Sequence, residues 1–118
     1  MDLKIWQDAM EVTGRLFDLA DRLESKRLFA EQLHGSGLSM PNNITEGSGS
    51  SSRREFSKFF NIARRSTFEN ANVTLVLGSR GRIDEGEMTE LLERLDHLCL
   101  KIMNFQRSFS AFRSAPNI

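Results

Sequence analysis

Apolar residues return every three or four positions through most of this chain, and the lapses in that rhythm divide it into four segments. In the first, Ile5, Trp6, Ala9, Val12, Thr13, Leu16, Phe17, Ala20 and Leu23 share one side of a helical wheel, with Lys4, Asp8, Glu11, Arg15, Asp18 and Arg22 outside it. The pattern predicts an amphipathic helix over residues 3–23. Lys4–Asp8 and Asp18–Arg22 are spaced as i,i+4 ion pairs, worth only about 0.2–0.5 kcal/mol each.

The second segment is less regular. Leu28, Phe29, Leu33, Met40 and Ile44 suggest an apolar side, interrupted by Gly35, Gly37 and Pro41. A proline removes a backbone donor and crowds the carbonyl one turn back, which predicts a kink or break near Ser39-Met40-Pro41, with Ser39 capping a second half-helix. Gly47-Ser48-Gly49-Ser50-Ser51 has the composition of a flexible connector. Ser52-Arg53-Arg54-Glu55 matches a capping box and opens a third helix reaching about Leu77. Its apolar face is Phe56, Phe59, Phe60, Ile62, Ala63, Val73 and Leu77, and Gly78-Ser79-Arg80-Gly81 supplies the stop.

Asp84-Glu85-Gly86-Glu87 places acids at the positive end of a fourth helix. Met88, Leu91, Leu92, Leu95, Leu98, Cys99, Ile102, Met103 and Phe109 form its apolar stripe. Four amphipathic helices with short connectors define the expected fold: all-α, an antiparallel up-down-up-down four-helix bundle. A single domain over residues 1–113 and a flexible tail at 114–118 are expected.

The 118 residues suffice to bury one core without a metal or disulfide staple. With 39% apolar and 27% charged residues, the composition is that of a folded globular protein. A single cysteine, Cys99, excludes an intramolecular disulfide, and its place on the apolar stripe makes it a core residue. No signal peptide or membrane-spanning run stands out, so the cytoplasm is the expected location and no membrane is expected as a partner.

Sixteen Lys and Arg balance sixteen Asp and Glu, but the distribution is uneven. Residues 1–49 carry a net charge of −3, residues 50–82 a net +5 and residues 83–118 a net −2. The excess comes from Arg53, Arg54, Lys58, Arg64, Arg65, Arg80 and Arg82, set against two acids, Glu55 and Glu69. At about 100° per residue, Arg54, Asn61 and Arg65 fall within roughly 40° of one another, with Lys58 close by. Such a strip can meet successive phosphates on a nucleic-acid backbone. It can equally be a solvated face, or one paired with acids of the first and fourth helices.

Asn42, Asn43, Thr45 and Glu46 flank Pro41, where they can satisfy backbone groups freed by the proline or form a binding notch. A half-buried Glu46 paired with an arginine is one expectation. His34, His97 and Cys99 lack metal-ligand spacing, no pair of catalytic carboxylates is apparent, and the Gly/Ser run lacks the Gly-Lys-Ser/Thr of a phosphate-binding loop. No metal, cofactor or catalytic residue is expected. Phe68 falls near the basic side of the third helix, where it either fills the core from the flank or contacts another subunit, and the surplus of aromatic rings points to self-association.

Three stretches carry a resemblance: Trp6-Gln7-Asp8-Ala9-Met10, then Ser39-Met40-Pro41-Asn42-Asn43-Ile44-Thr45-Glu46-Gly47-Ser48-Gly49, then Glu55-Phe56-Ser57-Lys58-Phe59-Phe60-Asn61-Ile62-Ala63, continued by Ser66, Glu69 and Leu75–Leu77. Over about residues 3–105 the chain resembles the four-helix-bundle proteins encoded in bacterial 23S rRNA intervening sequences, relatives of the accessory variability determinant of diversity-generating retroelements. The middle motif contributes Ser39, Pro41, Asn43, Ile44, Glu46 and Gly47 as structural residues. The resemblance implies a homopentamer and, for the retroelement relatives, binding to nucleic acid and a reverse transcriptase. It brings no catalytic residues. The chain departs from the family pattern at His34-Gly35-Ser36-Gly37, at Ser50 and at Arg64-Arg65-Ser66.

Two functions follow as expectations. One is a non-catalytic oligomeric accessory protein binding RNA or DNA through Arg53, Arg54, Lys58, Arg64, Arg65, Arg80 and Arg82. The other is a protein-interaction scaffold with no nucleic-acid ligand.

Overall fold

The computed structural model describes residues 3–23 and 27–114, with side chains placed for 4–23 and 27–108. Four helices form among them and no strand: α1 (Leu3–Arg22), α2 (Arg27–Ser48), α3 (Arg53–Ser79) and α4 (Glu85–Ser114). Each helix contacts its neighbours in the chain, and α4 returns to α1; α1 and α3 stand diagonally across the bundle, as do α2 and α4. Cross-helix pairs fix the directions. Thr13 meets Gly37 and Asp21 meets His34; Ser36 meets Asn70 and Ser39 meets Ser66; Asn61 meets Gln106; Lys101 meets Asp8 and Arg15 meets Glu90. Ascending numbers on one helix meet descending numbers on the next, so every adjacent pair is antiparallel and the topology is up-down-up-down. Residues 115–118 of the expected tail lie outside the described residues, and α4 extends through Ser114.

The sequence rhythm lands in the core as expected. Ile5, Ala9, Val12, Leu16, Ala20 and Leu23 of the first segment are buried, as are Leu91, Leu95, Leu98, Cys99 and Ile102 of α4. At one end, Phe60 stacks on Phe56 with ring centroids 4.4 Å apart and lies 5.3 Å from Phe105. Beneath that cluster sits Gly47, where an added Cβ would stand 2.5 Å from Phe60 Cε2. Gly47 therefore belongs to the buried end of α2, and the α2–α3 connector begins later than the Gly/Ser composition predicts.

Of the kink or break expected near Pro41, the break does not form. α2 continues from Arg27 to Ser48 with Pro41 buried inside it, and Ser39 is a mid-helix residue rather than a cap. In an unbroken helix the N–H of residue 41 would bond to the carbonyl of Gly37; proline has no N–H, so that carbonyl is orphaned. The Thr13 hydroxyl of α1 donates to Gly37 O at 2.9 Å in a buried contact. A donor from another helix thus replaces the missing one, and the penalty for a buried unpaired carbonyl is removed. Asn42, Asn43, Thr45 and Glu46 do not supply it.

The α2–α3 seam is polar at its centre. Asn70 is completely buried. Its Nδ2 donates to Ser36 O at 2.9 Å and Ser66 O at 2.8 Å, and its Oδ1 accepts from Ser36 Oγ at 2.8 Å. Two carbonyls against the NH2 fix the amide's orientation. One turn away, Ser66 Oγ lies 2.7 Å from Ser39 Oγ, and Asn43 Nδ2 donates to Ser39 O at 2.8 Å. The motif residues Ser39, Pro41, Asn43, Ile44 and Gly47 are explained by this packing. Glu46 is exposed and has no arginine partner among the described residues, contrary to the half-buried pair expected of it.

The starts of α3 and α4 are capped near where the sequence placed them. Ser52 Oγ accepts the Glu55 N–H at 3.1 Å, which is half of the expected capping box. Asp84 Oδ1 accepts the Glu87 N–H at 2.8 Å at the start of α4. α3 ends in a Schellman motif: Arg82 N–H reaches back to Leu77 O, Gly81 N–H to Gly78 O, and Gly81 takes the required left-handed backbone at φ 70°.

Candidate nucleic-acid interface

α3 is about 40 Å long at 1.5 Å per residue. Its buried stripe is Phe56, Phe60, Ala63, Ser66, Thr67, Asn70, Val73, Thr74 and Leu77, which turns the opposite side to solvent. Arg54, Lys58, Asn61 and Arg65 are all exposed on that outer side, over about 16 Å of helix axis. Lys58 Nζ also sits 5.7 Å from the centre of the Phe59 ring.

The other predicted cations do not join this strip. Arg53 is the first residue of α3 and projects from another flank. Arg64 is half-buried on the α4 side, its Nη2 3.4 Å from Asn61 Oδ1. Arg80 and Arg82 are exposed in the α3–α4 turn, a helix length away from Arg53. The seven residues therefore divide into a central strip, a flank and a distant turn.

Electrostatic contrast distinguishes α3 from the rest of the bundle. Along the α1–α4 seam, Arg15 pairs with Glu90, Arg22 with Glu87, Arg94 with Glu11 and Glu90, and Lys101 with Asp8. All but Arg94–Glu90, which lies within α4, cross between helices; Arg22 takes its partner on α4 instead of Asp18, and Asp8 pairs with Lys101. Partly solvated pairs contribute about 0–1 kcal/mol each, so they set register more than stability. None of the seven cations of α3 and its exit turn has an acidic partner among the described residues. α1, with its acids, is diagonal to α3, and α4, which does flank α3, turns Glu87 and Glu90 toward cations of α1.

Beyond Arg65 the same outer face changes character. Phe68 is 59% exposed, Leu75 49% and Val76 37%. Phe68 does not fill the core from the flank. The exposed face of α3 is cationic along its N-terminal half, and along its C-terminal half it carries the apolar Phe68, Leu75 and Val76 among the exposed Glu69 and Asn72.

His34 and His97 are exposed and Cys99 is buried. No cluster of metal-ligating side chains occurs among the described residues, and none of their helices is long and apolar enough to cross a membrane.

Sequence reasoning missed Asn70 and Thr13 as polar linchpins of the core, and it missed Gln106 and Arg107, which approach α3 from α4. Asn70 was detectable in principle. It continues the spacing of Ala63, Ser66 and Thr67 toward Val73, Thr74 and Leu77, where an asparagine on a core stripe signals a buried hydrogen-bonding hub.

An antiparallel all-α bundle with one unpaired cationic helix face is the class these features define. A family model of 23S rRNA-intervening sequence proteins matches residues 1–104, and the chain belongs to that family. Its fold is similar to the crystal structure of a protein of unknown function from the S23 ribosomal protein family of Bacteroides thetaiotaomicron. That match has a TM-score of 0.82 and 19% sequence identity, and covers 86% of this chain and 97% of the other. No curated protein matches the chain.

Proposed function

We propose that this protein is a non-catalytic, self-associating accessory factor that holds the phosphate backbone of structured RNA against the outer face of α3. The observation that carries this reading is the absence of acidic partners, among the described residues, for Arg54, Lys58 and Arg65, in a bundle where Arg15, Arg22, Arg94 and Lys101 of the α1–α4 seam are paired. Unpaired, solvated cations on a rigid helix are free to replace the counterions of a polyanion. The family's association with sequences interrupting 23S rRNA favours RNA over DNA. Self-association, as the pentamer implied by the family resemblance, repeats the strip around an axis and turns weak single contacts into avidity.

The test is fluorescence anisotropy of a labelled structured RNA across a salt series. Converting Arg54, Lys58 and Arg65 together to Gln is expected to weaken binding and to flatten the dependence of log K on log salt by about 2, the equivalent of roughly three lost phosphate contacts. Unchanged affinity and slope in the triple variant overturn the assignment.

A second reading rests on a separate observation, the exposed Phe68, Leu75 and Val76. Apolar residues grouped on one helix face suit a protein scaffold, either between copies or toward another protein. In that case Phe68→Ser with Leu75→Ser lowers the subunit count in light scattering. If the α3 cations instead pair with acids of a neighbouring copy, their neutralisation changes the subunit count and wild-type protein shows no salt-sensitive RNA binding.

A further inference from the structure

Between α3 and α4, beside the cationic strip, lies an open cleft of about 280 Å3 lined by Ser57, Asn61, Arg64, Met103, Gln106 and Arg107. No carboxylate lines it, whereas the cleft between α1 and α4 is lined by Asp8, Glu11, Glu90 and Glu93 around Arg94 and Lys101. Its polar groups are arranged as donors. Asn61 Oδ1 accepts from Gln106 Nε2 at 3.0 Å and lies 3.4 Å from Arg64 Nη2. Two donors on one oxygen fix the amide, so Asn61 presents its NH2 outward. Arg107 is exposed and has no acidic partner among the described residues.

Arg64 adds the observation that points to a ligand. Its Nε is buried and has no hydrogen-bond partner among the described residues. A buried guanidinium N–H without an acceptor is unusual and costly, and it is relieved when the side chain turns toward an acceptor brought into the cleft. Two guanidinium groups, an amide NH2 and a hydroxyl around a space with no acid suit a phosphate, whose several oxygens accept more than one of these bonds at once.

We propose that the Arg64–Arg107 cleft is a phosphate-binding site that receives one phosphate group, either from a nucleic-acid backbone or as the free anion. The proposal deepens the reading of α3 as an RNA-binding face. Asn61 stands on the outer strip and also lines the cleft, so a strand lying along Arg54, Lys58 and Arg65 passes its edge. Arg107 and Gln106 thereby become binding residues contributed by α4.

The experiment uses the full chain with Arg107→Gln and, separately, Asn61→Asp, each measured for labelled structured RNA and for thermal stabilisation by inorganic phosphate against chloride at matched ionic strength. Each variant is expected to weaken RNA binding about tenfold and to lose the phosphate-dependent rise in Tm. Asn61→Asp should melt no lower than wild type without phosphate, because its carboxylate strengthens the acceptor that Asn61 Oδ1 already offers Arg64. Loss of that baseline stability in Asn61→Asp contradicts the proposed state of Arg64. RNA affinity within twofold of wild type in both variants, with no phosphate effect on wild type, overturns the cleft; if the Arg54, Lys58 and Arg65 triple variant still loses RNA, the α3 strip stands without it. A phosphate-dependent Tm confined to wild type, with no RNA bound by any form, assigns the cleft to the free anion and removes the RNA reading. Loss of RNA in both variants without competition by inorganic phosphate assigns it to backbone phosphates.

Discussion

The bond between Thr13 and Gly37 makes a quantitative prediction about how a proline is accommodated inside a helix. Thr13→Val keeps the side-chain shape and removes the hydroxyl that donates to Gly37 O. The carbonyl is buried, and Pro41 has no N–H to offer it. Losing the hydrogen bond and leaving its acceptor unpaired costs about 1–3 kcal/mol. Taking about 2 kcal/mol, with unfolding entropy near 2.1 cal/mol/K per residue over 118 residues, Tm falls by roughly 8 °C. Pro41→Ala returns an N–H to position 41 and gives the same carbonyl an intrahelical donor. In that background Thr13→Val should cost less than about 1 kcal/mol, a coupling of about 1 kcal/mol or more. The effect of Pro41→Ala alone is not diagnostic, because better helix propensity opposes the loss of a buried ring. The measurement is urea unfolding of all four members of the cycle at one fixed protein concentration, since self-association adds to apparent stability. The slope m should remain constant. Equal Thr13→Val costs in both backgrounds, within about 0.3 kcal/mol, would refute the account of why α2 does not break.

Other consequences are checked by the same unfolding assay. Asn70→Asp places a carboxyl between two carbonyls at a fully buried site, so its folded-state pKa is raised above the ordinary aspartate value of about 3.9. The folded state then binds more protons than the unfolded one, and stability relative to wild type must decline as pH rises above about 4, levelling off beyond the raised pKa. Parallel pH curves for variant and wild type would contradict the burial argument. Gly47→Ala drives a methyl into the Phe60 ring and should cost about 1–3 kcal/mol despite alanine's better helix propensity. Gly35→Ala, on the same helix with no atom within 4 Å of the new Cβ, should stabilise by about 0.5–1 kcal/mol. Ser52→Ala removes the N-cap of α3 and should cost about 1 kcal/mol.

Much of the α3 surface was legible before any fold was known. Arg54, Lys58, Asn61 and Arg65 share a face by helical arithmetic alone, and the structure exposes all four. What arithmetic on one helix could not supply was the partner list. Whether those cations were paired depended on which helix stood opposite, and the acids of α1 were candidates until the chain path put them diagonally across. Arg64 looked equivalent to Arg65 in the sequence. The presence of Asn61 and of α4 beside it makes Arg64 half-buried and leaves its Nε without a partner among the described residues.

The sequence by itself determined the four helical segments, the caps of α3 and α4 and most of the core stripe, because these depend on periodicity and on bonds between residues three to five apart. Only the tertiary structure decided the fate of Pro41, the role of Asn70 and the pairing of charges. Thr13 and Gly37 are 24 positions apart, and Ser36 and Asn70 are 34 apart. Local propensity assigns a proline its full disruptive cost because an isolated helix has no second source of an N–H or O–H. Packing supplied that source from α1, and the same packing decided which arginines were left facing water.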